Sequence, residues 1–371
     1  MSQAALDSWR NTARAFPGNP SSMHREGKAA ASFLQEQRSK AAALLGARPE
    51  QLFFTSGGTE SNALVLSKLL SGRKGSLLIP DFEHPAVYEY REPFLKSGFQ
   101  VIPYTIQDGM LFDPDAFAAA ISGETRLVCC MTIHNETGAI FPVDEIARQV
   151  RGKAEKSGKP LHLHTDAVQA GGKIDLNLTG MGVDSASFSG HKLMGPRGVG
   201  ILYLKNPQLI KSPGGGQEGG VRPGTENLPA IASMVTALEE YISCRDTLAE
   251  RGKTLFEALS GQKGVRILPE TRVKHPDRFI PSIVSFSAAP IPSEVLVRTL
   301  DDKGFAISSG SACSSKKVKG KRRAIIASGV KEFEAQGAVR VSIGPGTGEG
   351  AIQAFMAALD EALEELGRAY G

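Results

Sequence analysis

The chain has 371 residues, too many for one small core and suited to a large α/β domain with a smaller one appended. Its formal net charge of +4 is exceeded by the six positive side chains between Lys316 and Arg323, so basicity is local and a nucleic-acid surface spread over the protein is not expected. The four cysteines, Cys129, Cys130, Cys244 and Cys313, have neither metal-ligand spacing nor the density of a disulfide scaffold, and no apolar run reaches the roughly 20 residues of a membrane helix; a soluble protein of a reducing cytoplasm, without a resident metal, is expected.

Residues 1–17 read as a helix that packs with the C-terminal domain. Short apolar runs of strand type then recur: QLFF at 51, SLLIP at 76, VIPYTI at 101, RLVCCMTI at 126, PLHLHTD at 160, VDSASFS at 183 and GVGILYL at 198. Helical periods such as ESNALVLSKLL and VDEIARQVRGKAEK separate most of them, the βαβ pattern of a largely parallel sheet. Only SGHKLMGPR joins the last two runs, too short for a crossover helix, so one strand should run antiparallel in a seven-stranded mixed sheet. A glycine cluster at 214–220 leads into a helical pattern over about 227–260. The large domain is therefore 18–244 and a smaller α/β domain 245–371, with strands near IVSFSA, FAIS and AVRVSIG, a helix near SEVLVRTLDDKG and a final helix from Glu349.

Several residues fall where these strands end. In TSGGTESNALVL a strand gives way to a helix, and the unpaired N–H groups of a helix start favour an anion such as phosphate, with Gly58 and Thr59 as the contacts; taken alone, such a motif is more often plain turn chemistry. In SFSGHKLMGPRG, Lys192 follows a strand with Ser189 and His191 beside it, and a partly desolvated lysine forms a Schiff base with an aldehyde, whereas most loop lysines are solvated. Asp166 ends the strand of HTDAVQAGG, at the edge where open α/β sheets bind ligands. Pyridoxal phosphate needs a carboxylate for its ring nitrogen, a lysine for its aldehyde and an anion site for its phosphate, which Asp166, Lys192 and the Gly58–Thr59 turn supply. His84 of EHPAV and Asn135 of HNETG follow strands too, placed to lie over a flat ring or to meet its hydroxyl, though either residue alone also reads as a cap or turn former.

With these motifs in view the chain resembles a cysteine desulfurase of the pyridoxal-phosphate fold-type I class, in the class V aminotransferase branch whose cysteine loop reads SSGSACSS. GNPSSMH, TSGGTES, EHPAV, HNETG, HTDAVQ, SFSGHK, GGGQE, RPGTEN, SSGSACSS and RVSIG occur in the family's order over nearly the whole length. The resemblance implies that Lys192 holds the cofactor and returns the α-proton, Asp166 pairs with the pyridinium nitrogen and His84 stacks on the ring. It further implies that Gln169 and Asn135 serve the ring hydroxyl, that Gly58, Thr59, Ser189, Gly190 and His191 hold the phosphate with Thr225 from a partner subunit, and that Arg340 clamps the substrate carboxylate. Cys313 would take sulfur from L-cysteine as a persulfide, releasing L-alanine, and pass it to an iron–sulfur scaffold or thiolation acceptor, serving itself as a transient iron–sulfur ligand; the enzyme would be a cytoplasmic homodimer.

Three departures bear on turnover, one of them a link from Asn135 to Asp166 several residues longer than the family's. The strand and Asn-Ala-Thr-Thr-like segment that open the family are not found ahead of the first helix, and the usual Gly-Arg-Phe-Thr after RVSIG is Gly344-Pro345-Gly346-Thr347. Another class V activity, such as a transaminase or selenocysteine lyase, and a weakly active partner protein are the alternatives. The basic run KKVKGKRR reads as a solvated face, as a steering patch for an acidic acceptor, or as a nucleic-acid contact.

Overall fold

A computed structural model describes residues 1–107, 109–310, 322–348 and 350–370. Cys313 and the lysines at 316, 317, 319 and 321 lie outside the described residues. The chain forms two compact units: the first comprises Met1–Pro103, Pro114–Thr132 and Pro142–Ser243, the second Tyr104–Asp113, Ile133–Phe141 and Cys244–Gly371.

The first unit is built on seven strands, β1 Leu52–Thr55, β2 Ser76–Leu78, β3 Gln100–Ile102, β4 Thr125–Cys129, β5 His162–Asp166, β6 Ser185–Ser189 and β7 Gly200–Leu204, in the order β1-β7-β6-β5-β4-β2-β3. Only β7 runs antiparallel to its neighbours β1 and β6. The short SGHKLMGPR connection explains this, since it spans only a one-turn 3-10 helix, Gly190–Leu193. Nearly every side chain of β1, β4, β5, β6 and β7 is buried, which is why these strands read as continuous apolar or small-residue runs rather than alternating ones. The helix Gly58–Leu70 drives Val65 and Leu66 into separate clusters, Val65 against Phe53 and Leu202 and Leu66 against Leu77 and Leu127. Each of those fully buried side chains contributes about 2 kcal/mol relative to exposure.

Helix Gln3–Ala15 belongs to this first unit, which corrects the expectation that residues 1–17 pack with the C-terminal domain. It lies along the helix Leu228–Ser243: Ser233 Oγ donates to the Ala5 carbonyl at 2.6 Å, and the hydroxyls of Thr236 and Ser8 meet at 3.0 Å. Ser2 caps the helix by accepting from the Ala5 N–H at 3.2 Å, and its own N–H is held by the Met194 carbonyl. The small residues Ala5 and Ser233 allow this close approach, which the 3.6-residue period alone does not reveal.

In the second unit an antiparallel sheet has the order β10-β9-β8, with β8 Arg266–Leu268, β9 Ile283–Ser287 and β10 Ala338–Ser342. Helices Arg245–Gly261, Ser293–Asp302 and Gly350–Tyr370 cover it through Leu255, Leu259, Leu296, Leu300 and Leu359. The expected strand at FAIS is not formed: Phe305 turns inward onto Phe355, with ring centroids 5.6 Å apart, and only Ser308 bridges to Arg340. The third strand is instead β8, three residues long and lacking any alternating pattern. The expected 227–260 helix is two helices, broken at Cys244.

Candidate functional site

The parallel strands of the first unit end along one edge, where Thr55 and Ser189 both lie opposite Gly200 in register. Beyond Thr55 the chain enters helix Gly58–Leu70 through Gly57 at φ 151°, a backbone region open to glycine. No side chain caps this helix, so its leading N–H groups are left for an anion. The approach is tight at Gly58, where a Cβ would sit 2.4 Å from Val168 Cγ2, while one on Gly57 would lie in ordinary contact with Ser189 Oγ at 3.6 Å. Ser189 in turn meets His191 Nδ1 at 2.9 Å. Desolvation, then the cations Lys192, Arg197 and Lys173, lowers the His191 pKa and favours a neutral ring. Gly57, Gly58, Ser189 and His191 thus face one cradle, with Thr59 exposed at its rim.

Asp166, at the end of β5, is buried, and each of its carboxylate oxygens accepts a neutral donor: Asn62 Nδ2 at 2.8 Å on Oδ2 and the Val168 N–H at 3.0 Å on Oδ1. Behind Asn62, its Oδ1 meets His164 Nε2 at 2.8 Å, and His164 Nδ1 meets Ser185 Oγ at 2.7 Å. Burial lowers the pKa of His164 to about 3, with neighbouring His162 adding a smaller push, so the ring is neutral. The same cause lowers His162 to about 4 against the raising influence of Asp184. Beside Asp166 in register, Ser187 carries a buried hydroxyl that has no hydrogen-bond partner among the described residues.

Lys192 sits half-buried on the short turn after β6. Gln169 is buried, and its Oε1 accepts from Lys173 Nζ at 3.2 Å. His84 caps the short helix Pro85–Tyr88, its Nδ1 accepting from the Ala86 N–H at 3.2 Å, so the ring proton is on Nε2. Arg91 holds that turn by binding the Ile79 carbonyl at 3.0 Å and Asp81 at 2.5 Å. Thr225 is exposed on the segment that Arg222 ties to Glu60 at 3.5 Å.

Asn135 and Arg340 belong to the second unit. Three consecutive carbonyls of HNETG are each bound there: Arg340 Nη1 donates to Asn135 at 2.8 Å, Ser285 Oγ to Glu136 at 2.5 Å and Arg272 Nη1 to Thr137 at 3.1 Å. Arg340 also reaches Ser308 Oγ at 3.1 Å, while its buried Nε and the Asn135 Oδ1 have no hydrogen-bond partner among the described residues. Burial lowers the pKa of Arg340, with Glu136 opposing. The Gly-Pro-Gly-Thr departure is a closed turn: the Thr347 hydroxyl accepts from Gly344 N–H at 3.0 Å, and Arg251 binds the Thr347 carbonyl at 2.6 Å.

Several contributors escaped sequence reasoning. Asn62 stands out only as a polar residue on the apolar period of ESNALVL, and His164 only as lying two residues before Asp166, on the same strand face. Arg322, counted in the basic run, is half-buried, and it donates to the Ser309 carbonyl at 2.9 Å and the Ala338 carbonyl at 3.1 Å. An anion cradle, a carboxylate held only by neutral donors and a half-buried lysine on one sheet edge suit a phosphorylated aromatic aldehyde with a protonated ring nitrogen.

A family model described as aminotransferase class V matches residues 1–355. Among curated proteins, a "NifS/IcsS protein homolog" of Lactobacillus delbrueckii subsp. bulgaricus is 33% identical, covering 99% of this chain and 96% of its own length. A "Cysteine desulfurase IscS" of Dictyoglomus turgidum is 32% identical over 94% of this chain and 88% of its own length. A solved structure titled "NifS-like protein" superposes with a TM-score of 0.86 at 30% identity, covering 99% of this chain and 97% of that one.

Proposed function

The chain belongs to the class V aminotransferase family, and on that premise we propose that it is a pyridoxal-phosphate-dependent cysteine desulfurase, converting L-cysteine to L-alanine and passing the sulfur on as a persulfide. The observation that carries this reading is the sheet edge on which the uncapped helix start, the neutrally held Asp166 and Lys192 stand together.

Gly58, Thr59, Ser189, Gly190 and His191 would hold the phosphate, and Lys192 the aldehyde carbon. Asp166 would keep the ring nitrogen protonated, with His84 over the ring and Gln169 and Asn135 toward its hydroxyl. Bound there, the cofactor supplies an electron sink for bonds at the amino acid's α-carbon. Arg340 fixes the substrate carboxylate with the donors its two protein acceptors leave over. Lys192, once released, takes the α-proton on Nζ and returns it. Cys313, as a thiolate, attacks the substrate sulfur: an S–S bond forms as the Cβ–S bond breaks, and the β-carbon gains a proton to become the methyl of alanine. A homodimer, with Thr225 supplied to the partner's site, and an iron–sulfur scaffold or thiolation protein as acceptor complete the reading.

Incubation with cofactor, L-cysteine and a reductant should release alanine and sulfide in equal amounts. Cys313→Ser should bind cofactor and substrate yet release no sulfide. Turnover that demands a keto acid, or cofactor bound without any turnover, would overturn the proposal.

A further inference from the structure

A carboxylate that must sit opposite a ring nitrogen needs both a direction and an undiminished charge. The Asp166 donors are an amide side chain and a backbone N–H, so among the described residues the groups hydrogen-bonded to its carboxylate are neutral. We propose that Asn62 is the positioning residue for this carboxylate, and that the hydrogen-bonded chain His164–Ser185–His162 behind it fixes which way the Asn62 amide points. This rests on the reading of Asp166 as the partner of the cofactor's ring nitrogen.

Directionality follows from Asp166 outward. An ionised carboxylate only accepts, so the Asn62 group that faces it at 2.8 Å is the NH2. The Asn62 carbonyl then faces His164 Nε2 at 2.8 Å, which must carry the ring proton. Since His164 is neutral, its Nδ1 is an acceptor, and the Ser185 hydroxyl 2.7 Å away donates to it. The Ser185 oxygen is thereby left to accept from His162 Nε2 at 2.8 Å. One negative charge thus sets four further groups, and every link is satisfied.

The packing supports a fixed rather than an adaptable arrangement. Asn62, His164 and Ser185 have no solvent exposure, and His162, His164 and Asp166 occupy alternate positions of β5 and so share one face. At the far end Asp184 accepts from the Leu163 N–H at 2.8 Å and is paired with Arg151, so the chain ends beside a compensated charge. A protonated His164 would present two donors and break the order, and burial opposes that proton.

The test compares wild type with Asn62→Leu, His164→Gln and His164→Leu, reading the affinity for pyridoxal 5′-phosphate and the pH at which the bound cofactor's visible absorbance titrates. Glutamine keeps an N–H toward Asn62; leucine does not. Asn62→Leu should bind the cofactor about tenfold more weakly and shift the titration by about one pH unit, the scale of one lost hydrogen bond to a charged group. His164→Leu should shift it in the same direction, and His164→Gln should restore it. Unchanged affinity and titration in folded Asn62→Leu would overturn the inference, as would equal behaviour of the two His164 variants should Asn62→Leu fail to fold. Wild type that binds no cofactor would instead sink the proposed function.

Discussion

The two units hold charges of opposite sign by the same means, neutral dipolar partners. In the first, the anion Asp166 is surrounded by neutral donors, Asn62 and the Val168 N–H. In the second, the cations Arg340, Arg272 and Arg322 donate to carbonyls and hydroxyls: Arg340 to Asn135 and Ser308, Arg272 to Thr137, Ile283 and Ile280, Arg322 to Ser309, Ala338, Gln336 and Ser293. A partner of opposite charge would cancel most of either charge locally. Dipolar partners fix geometry at the same distances and leave the charge for a ligand. The comparison predicts that changes in the first unit act on the cofactor and changes in the second on the substrate.

The largest effect tests the first half of that division. Lys192→Ala should lower turnover by about a thousandfold or more, the scale of a lost proton-transfer group, and remove covalent attachment of the cofactor. Borohydride reduction and peptide mapping of the wild type should label Lys192; a label on another lysine would move the site. Arg340→Gln tests the second half. It should raise KM for L-cysteine about a hundredfold, the equivalent of losing about 3 kcal/mol of charged hydrogen bonding, while the bound cofactor's spectrum stays as in wild type. A changed spectrum with unchanged KM would break the comparison.

Arg272 separates geometry from charge. It is buried between the rings of Phe256 and Phe279, and burial lowers its pKa to about 10. Arg272→Met should destabilise the protein by about 3 kcal/mol, because the carbonyls of Thr137, Ile280 and Ile283 lose their donor inside the protein. Denaturant unfolding measures this directly, and a loss under about 1 kcal/mol would show that those carbonyls find other donors.

Much of this architecture was legible from the chain. Strands buried on both faces, such as LVC of β4, leave continuous apolar runs that need no tertiary knowledge. The residues that end such strands, Asp166 and Ser189 among them, could be placed on one edge by counting alone. What could not be read were bonds that cross elements: Asn62 to His164 is a helix-to-strand contact 102 positions apart, and Arg340 to Asn135 spans 205. Phe305 failed as a strand residue because its burial is onto a helix, through Phe355, and sequence does not say which neighbour an aromatic will choose.

His164 offers a smaller, pH-dependent check of the neutral half. Its folded pKa, about 3, lies below its unfolded value near 6.5, so the unfolded chain binds more protons between those limits and stability falls as pH drops through them. The slope owed to this one fully buried residue is about 1.4 kcal/mol per pH unit, and above pH 7 it contributes none. His164→Gln should flatten the acid side of the stability profile by that amount relative to wild type. A profile unchanged below pH 6 would mean that the His164 ring already carries its proton in the folded protein.

The smallest effect concerns the basic run, which the second unit divides. Arg322 donates to the carbonyls on either side, Ser309 at 2.9 Å and Ala338 at 3.1 Å, so its guanidinium is engaged in holding the backbone there. Lys316, Lys317, Lys319 and Lys321 lie outside the described residues. If they steer an acidic sulfur acceptor, replacing all four with glutamine should slow persulfide transfer to that protein a few-fold at low salt and flatten its salt dependence, because exposed charges act through a field that ions screen within about 10 Å at 0.1 M. Sulfide release to a small uncharged thiol should stay within about twofold, since such an acceptor feels little of that field. Arg322→Gln should do the reverse, lowering stability by about 1–2 kcal/mol through the carbonyls of Ser309, Ala338 and Gln336 while leaving the salt dependence of transfer in place. Should the lysine variant transfer sulfur with the wild-type salt dependence, those four lysines are a solvated face, while Arg322 holds the backbone at Ser309 and Ala338.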